Sequence, residues 1–325
     1  MKNKPFFSII IPLYNKEHYI ARAIFSALNQ TFQDFEIIVI NDGSTDGSLA
    51  AAKEITDPRI RIFNQKNLGV NNARNAGIKK SKGKYIAFLD SDDAYTPQFL
   101  QTVYEMIRRY GKYEFFATAF KRVYKDNSET ETKYGTKNIY IVKDFITQVA
   151  KTGKFFIHIS AVVVKKTVFD KTGYFFSRSP KYHSGITIVD DLDLWIRISW
   201  KYDLVYSNTA GCIYYTNTPV NVIGGYGFKN LDCTFYEDTI TRLTLESDSG
   251  KQKKNLQKLL YRLRNLSAVQ FLIRGHFKEA ESVIKKQPAT KEILQIKNMI
   301  ELQKSIKYLL AKKHTGRKNI KRAQT

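Results

Sequence analysis

Cysteine is nearly absent: the 325 residues hold two, Cys212 and Cys233, at no metal-ligand spacing, which excludes a disulfide framework and suits a reducing compartment. No apolar run approaches the roughly 20 residues that a bilayer-spanning helix needs. Met1-Lys2-Asn3-Lys4-Pro5 leads straight into a strand-like stretch with no apolar leader and no small-residue cleavage site. The expectation is a cytoplasmic chain that does not cross a membrane. Three catalytic signatures are also missing. No G-x-G-x-x-G follows the first strand, where a dinucleotide fold would need it; there is no P-loop, and there is no G-x-S-x-G around a serine nucleophile. The five histidines, His18, His158, His183, His276 and His314, form no metal-ligand pair at helical or turn spacing and read as structural, His183 being the least settled of them.

What is present is enough apolar material for a real core: 43% hydrophobic residues, with 21 Phe and 20 Tyr. The length exceeds what one hydrophobic core commonly fills, so a large α/β domain with a smaller companion is expected. The formal charge of +23 is unevenly spread. Residues 251–325 hold 20 Lys and Arg against 4 Asp and Glu, or +16, which leaves +7 for the first 250. Such a tail could attract nucleic acid or an anionic membrane leaflet, and charge alone does not separate the two.

Strand-like and helix-like patterns alternate from the start, which predicts parallel strands crossed by helices. Strands are expected at residues 6–11, 35–40, 59–63 and 85–89, and helices at 16–29 (capped by Asn15), 46–55 and 70–80. A further helix is expected from Thr96-Pro97 to about Tyr110, with Thr96 as its cap. Beyond it the pattern is mixed: strands near 114–124, 155–165 and 212–216, and a helix at 191–200. The tail reads as a basic helical appendage with helices at 255–271, 276–286 and 291–310, and a frayed end at 312–325. Leu256, Leu259, Leu260, Leu263, Leu266 and Val269 fall at helical spacing in the first of these, and residues 274–280 read as a turn between two of them.

Open α/β sheets bind ligands beyond the carboxyl ends of their strands, and here those ends are acidic. The second strand runs into Asn41-Asp42-Gly43-Ser44-Thr45-Asp46 and the fourth into Asp90-Ser91-Asp92-Asp93. Without a glycine cradle, a diphosphate at this edge would be neutralised by a metal, and carboxylates suit Mg²⁺ or Mn²⁺. Asp90 and Asp92, two apart on an extended segment, share a face and can reach one cation. Asp42 can accept from a nucleobase N–H or a ribose hydroxyl. Arg74, on a helix starting at the same edge, could contact a phosphate or fix Asp92. About a hundred residues on, Asp190-Asp191-Leu192-Asp193-Leu194-Trp195-Ile196-Arg197 opens another helix, and a carboxylate there could serve as a general base.

Ser8-Ile9-Ile10-Ile11-Pro12-Leu13-Tyr14-Asn15, Ile40-Asn41-Asp42-Gly43-Ser44, Ala73-Arg74-Asn75-Ala76-Gly77 and Phe88-Leu89-Asp90-Ser91-Asp92-Asp93, in that order, strongly resemble glycosyltransferase family 2 with the GT-A fold. The resemblance spans residues 5 to about 110, and 190–197 is similar to the family's later acidic motif. It implies an α/β fold, a Rossmann-like mixed sheet flanked by helices. Residues 1–110 would form the nucleotide-sugar half, 111–250 the acceptor half and 251–325 the basic helical region. It further implies that Pro12, Tyr14, Glu17, Asp42, Asn67, Arg74, Asp90 and Ser91 line the pocket of a nucleotide-sugar donor, UDP by family habit. Asp92 would hold Mg²⁺ or Mn²⁺ on the diphosphate. Asp191 would be the base, although the family has Glu-Asp where this chain has Asp190-Asp191.

The implied reaction inverts the anomeric carbon and transfers one sugar at a time, since the Q-x-x-R-W motif of processive members is missing. The implied acceptor is a glycan or lipid-linked saccharide in surface polysaccharide or lipooligosaccharide synthesis. The tail would then hold the enzyme peripherally on an anionic membrane. Two other classes compete. A nucleic-acid binder is disfavoured because the charge is in the tail and the cleft is acidic. A sugar-phosphate nucleotidyltransferase should show a Gly- and Lys/Arg-rich loop where this chain has Pro12-Leu13-Tyr14-Asn15.

Overall fold

A computed structural model describes residues 4–152, 156–176, 190–216, 234–273, 277–285 and 297. They fall in two compact units, Met1–Lys229 and Asn230–Thr325. The first opens with alternating strands and helices: β1 (Phe7–Leu13), α1 (Ile20–Leu28), β2 (Phe35–Asn41), α2 (Ser48–Glu54), β3 (Ile60–Asn64), α3 (Val70–Lys80) and β4 (Tyr85–Phe88). Then follow β5 (Ala94–Tyr95), α4 (Phe99–Arg109), β6 (Phe115–Val123), β7 (Glu129–Thr132), β8 (Ile139–Val142), α5 (Phe145–Thr152), a 3₁₀ turn (Ile159–Ala161), β9 (Val162–Lys165), α6 (Val168–Thr172), α7 (Asp190–Lys201) and β10 (Leu204–Tyr215).

These strands make one mixed sheet of order β3-β2-β1-β4-β9-β6-β10-β5, with β7 beside β6 and β8 beside β10. The first four run parallel, and β9 enters antiparallel to β4 and β6. The chain moves outward from β1 through β2 to β3, then returns to the other side of β1 as β4. Such a reversal, here at the carboxyl ends of β1 and β4, is where open α/β sheets bind their ligands.

Every residue of β1 and β2 is buried, as expected of parallel strands covered on both faces. The period of two sorts them. Ile9, Ile11, Leu13, Ile37 and Val39 join Ile20, Ala23, Ile24 and Ala27 of α1 on one face, while Ile38 and Ile40 meet Ala73 of α3 on the other. Helix α3 lies so close that a β-carbon on Gly77 would drive into the Ile10 side chain.

Two expected caps do other work. Asn15 has φ of 51° and does not start α1, which begins after Tyr19; its Oδ1 accepts from Thr45 N at 2.8 Å and ties the β1 end to the β2–α2 loop. Thr96 does not cap α4, which starts at Phe99. Its hydroxyl donates to Ala210 O at 2.8 Å, where an irregularity in β10 frees that carbonyl. The α4 end is served instead by Gln30, whose Oε1 accepts from Leu100 N at 2.9 Å while its Nε2 donates to Thr96 O at 2.7 Å. The strand expected at 155–165 is shorter, preceded by the 3₁₀ turn, and the one expected at 212–216 begins earlier, at Leu204.

The second unit contains α8 (Thr234–Glu246), α9 (Gly250–Ile273) and α10 (Phe277–Lys285), with α9 packed on α8 and α10. Leu256, Leu259 and Leu263 are buried as the spacing predicts, while Lys251, Lys253, Lys254 and Lys258 are exposed. Of the turn expected at 274–280, residues 274–276 lie outside the described residues while 277–280 are helical in α10. The helix expected at 291–310, apart from residue 297, and the frayed end at 312–325 also lie outside them, as do Cys233, His183, His276 and His314. No described helix is long and apolar enough to cross a membrane.

Candidate active site

The carboxyl ends of β1 and β2 are knit into one platform. Lys16 N donates to Ser48 Oγ at 2.6 Å, Asn15 N to Ser44 Oγ at 3.2 Å, and Glu17 Oε2 accepts from Gly47 N at 2.7 Å. Pro12 is buried within β1 and Tyr14 half-buried just beyond it. Asp42 is 2% exposed and fully engaged: Oδ1 accepts from Gln65 Nε2 at 2.7 Å and Leu68 N at 2.9 Å, and Oδ2 from Gly69 N at 2.8 Å. It therefore holds the β3–α3 loop, which carries exposed Asn67. Gly43, at φ of 74°, lets that loop approach: a β-carbon there would stand 2.9 Å from Asn67 N.

Beyond β4, Asp90 and Asp92 are each matched by a cation. Arg74 Nη2 donates to Asp90 Oδ1 at 2.8 Å, so the arginine fixes Asp90 and not Asp92 as one sequence alternative had it. Burial would raise the Asp90 carboxyl, but the Arg74 charge and hydrogen bond, with His158 and Lys16 behind them, hold it below its ordinary value. Lys16 Nζ lies 2.6 Å from Asp92 Oδ2, with the lysine side chain 7% exposed and the carboxylate 18%. Arg22 donates to the Asp92 main-chain oxygen and stacks its guanidinium 3.7 Å from the Tyr215 ring centroid. Ser91 is buried between them.

Beneath this edge lies a polar group that sequence reasoning missed. Asp93 is 1% exposed; its Oδ2 accepts from Ser160 Oγ at 2.6 Å and lies 3.6 Å from His158 Nδ1. Burial, then the charges of Asp92 and Asp90, push its carboxyl well above the ordinary value. The His158 ring packs against Phe120 and Tyr214, and burial lowers its basicity against the pull of Asp90 and Asp191. Because His158 feels both carboxylates, Asp90, Asp92, Asp93 and Asp191 share one electrostatic neighbourhood, while Asp42 engages a different set of partners.

Asp191 stands in the first turn of α7, half-buried, its Oδ2 accepting from Trp195 Nε1 at 3.2 Å. The rest of its motif is a clamp. Arg197 Nη2 lies 2.7 Å from Asp193 Oδ2 and also donates to Tyr174 O at 2.8 Å, while Nη1 donates to Thr172 O at 2.5 Å. Asn75 of α3 pairs with both the N–H and the carbonyl of Phe175, at 3.0 and 2.7 Å. Segment 172–175 is thus pinned to α7 and to α3, the helix that carries Arg74.

The sequence profile of Glycosyl transferase family 2 matches residues 8–173, which contain the site residues of β1 to α6 but not Tyr174, Phe175, those of α7 or the β10 aromatics. The chain belongs to glycosyltransferase family 2. An uncharacterized glycosyltransferase of Rickettsia bellii is 43% identical over 126 residues, covering 38% of this chain and 18% of that protein. Chondroitin synthase of Escherichia coli is 40% identical over 111 residues, covering 34% of this chain and 16% of the synthase. These matches thus span under a fifth of either relative's length. Residues 1–349 of S. aureus TarS, solved with UDP-GlcNAc, superpose with a TM-score of 0.68 at 18% identity, covering 87% of this chain and 81% of that one. The fold is the family's GT-A architecture, a central mixed sheet flanked by helices.

Family 2 membership raises the question of a metal. Among the described residues, no three His, Cys, Asp or Glu side chains gather as a ligand set. The Asp92 carboxylate nevertheless suits one: it is oxygen-only, partly open, and already faced by a cation, the Lys16 ammonium, at 2.6 Å. Magnesium-type ions are commonly held by one or two carboxylates plus substrate phosphates and water, so this donor set fits.

Proposed function

We propose that this chain transfers a sugar from a nucleoside-diphosphate sugar, with UDP as the nucleotide, to a hydroxyl of a glycan or lipid-linked saccharide, with inversion. The supporting observation is the pairing of Asp90 with Arg74 and of Asp92 with Lys16 at the reversal point of the sheet, beside a buried His158 that feels the charges of both Asp90 and Asp191. The base and ribose would lie along Pro12, Tyr14, Glu17, Asp42 and Asn67. Arg74 and Lys16 would face the diphosphate from either side, and Asp90 and Ser91 would line the floor. Asp92 would hold Mg²⁺ or Mn²⁺, which neutralises charge as the diphosphate departs.

In the step itself, the acceptor oxygen bonds to the anomeric carbon while its proton passes to the Asp191 carboxylate. The bond from that carbon to the diphosphate oxygen breaks, and its electron pair leaves with the nucleotide. The chondroitin synthase likeness supports polysaccharide synthesis as the setting. Four exposed lysines of α9, Lys251, Lys253, Lys254 and Lys258, support a peripheral seat on an anionic leaflet, at about 1 kcal/mol for each cation near the surface.

A thermal-shift screen of sugar nucleotides with and without Mn²⁺ tests the donor half of this reading. A metal-dependent rise with one donor is expected; no stabilisation by any donor would refute it. Replacing the four α9 lysines by glutamate should abolish sedimentation with phosphatidylserine vesicles. Unchanged sedimentation would remove the membrane role.

A further inference from the structure

Lys16 is assigned no role by the family motifs, yet it occupies the position of greatest consequence for the cation. Its backbone is locked, with the amide on Ser48 Oγ at 2.6 Å and the carbonyl accepting from Tyr19 N and Ile20 N at 3.0 Å each, which starts α1. Its side chain is 7% exposed, and its Nζ is held 2.6 Å from Asp92 Oδ2 and 5.9 Å from the Tyr19 ring centroid. Arg22 holds the same aspartate by its main-chain oxygen. The carboxylate that would bind a divalent ion is therefore neutralised from within the chain by a desolvated, geometrically fixed ammonium.

We propose that Lys16 is a specificity-determining residue that makes divalent-ion binding depend on the diphosphate: it competes with the ion for Asp92 when no nucleotide is present and bonds the diphosphate when both arrive. This rests on the donor-site reading above. An ion reaching Asp92 alone meets a like charge a few ångströms away and must break a 2.6 Å pair with a largely buried ammonium, which is costly. An ion arriving with a diphosphate brings several acceptor oxygens, and the three donors of an ammonium can turn to them over a short distance. The same residue thus opposes the ion alone and assists the pair. The consequence is a positive coupling between ion and nucleotide, which by linkage must appear equally in the affinity of each.

The test is calorimetric titration of the full chain with Mn²⁺ alone, UDP alone and Mn²⁺ in saturating UDP, for the wild type, Lys16→Met and Lys16→Arg. In the wild type, UDP should tighten Mn²⁺ at least about tenfold, within the usual range of allosteric coupling. Lys16→Met should bind Mn²⁺ alone about tenfold more tightly, bind metal-free UDP more weakly, and show a coupling reduced by a similar factor. Lys16→Arg, which keeps the charge, should keep the coupling, and a thermal melt confirms that each variant is folded. If Lys16→Met binds Mn²⁺ alone no more tightly and keeps the wild-type coupling, the competing role of Lys16 is wrong while the donor site stands. If the wild type binds neither UDP nor Mn²⁺ with UDP, the donor-site reading fails and this proposal with it.

Discussion

Arg74 of α3 and Asp90 beyond β4 meet at 2.8 Å across the carboxyl edge of the sheet, with the arginine side chain 7% exposed and the aspartate 27%. The guanidinium is further placed by Asn71, whose Oδ1 lies 3.4 Å from Nη1, and by the Phe175 ring, 5.4 Å from Cζ. A planar fork can serve a carboxylate and a phosphate together; a lysine ammonium is a point charge that must choose. Arg74→Lys should therefore weaken UDP binding roughly tenfold, or about 1.4 kcal/mol, by calorimetry. Wild-type affinity in that variant would show that Arg74 only braces Asp90.

Two aspartates two residues apart on α7 should give opposite phenotypes. Asp191→Asn keeps the shape and the Trp195 contact but removes the carboxylate proposed to take the proton. It should retain donor binding and melting temperature while transfer falls roughly 100- to 10,000-fold. Asp193→Asn strips the counter-charge from buried Arg197 and should cost about 3 kcal/mol of stability. Equal melting temperatures for the two variants would contradict this division.

Glu36 supplies a pH handle far from the chemistry. It accepts from Ser8 Oγ at 2.7 Å, Lys82 N at 2.5 Å and Arg61 Nη1 at 2.7 Å. Burial opposes its charge, but these bonds prevail and hold its carboxyl below the ordinary value of 4.5. A depressed folded value stabilises above the unfolded one and is lost as pH falls through it. Glu36→Gln should therefore cost about 2 kcal/mol at neutral pH, with the difference from wild type shrinking as pH drops below 4.5. A pH-independent difference in denaturant midpoints would rule the charge out.

Gly77→Ala should destabilise the first unit by about 1 to 3 kcal/mol, because the added carbon overlaps Ile10 at the α3–β1 contact. Coupling Gly77→Ala with Ile10→Val should recover part of that loss in chemical denaturation. No recovery would place the strain elsewhere.

Some of this was legible without coordinates because the interactions concerned are local or periodic. The unbroken apolar runs of β1 and β2 announce strands covered on both faces. Helix α3 spans Val70–Lys80 as read, and the acidic residues after β4 follow from the strand's own end. The order of the motifs was enough to place the chain in its family. The missed elements, α5, α6, α8, β5, β7 and β8, are short or lack an apolar period sharp enough to stand out, and tertiary packing decides them.

The partners of the site were not legible. Asp92 is 76 residues from Lys16 and 70 from Arg22, and Asp93 is 67 from Ser160, while Thr96 and Gln30 exchange the roles that local capping rules assign them. Sequence by itself determined which side chains lie at the strand ends, since a strand's direction and alternation are properties of consecutive residues. Only the tertiary structure decided that Asp90 and Asp92 each meet a cation, because that depends on which distant strands lie side by side, and the chain reversal around β1 is what brings them there.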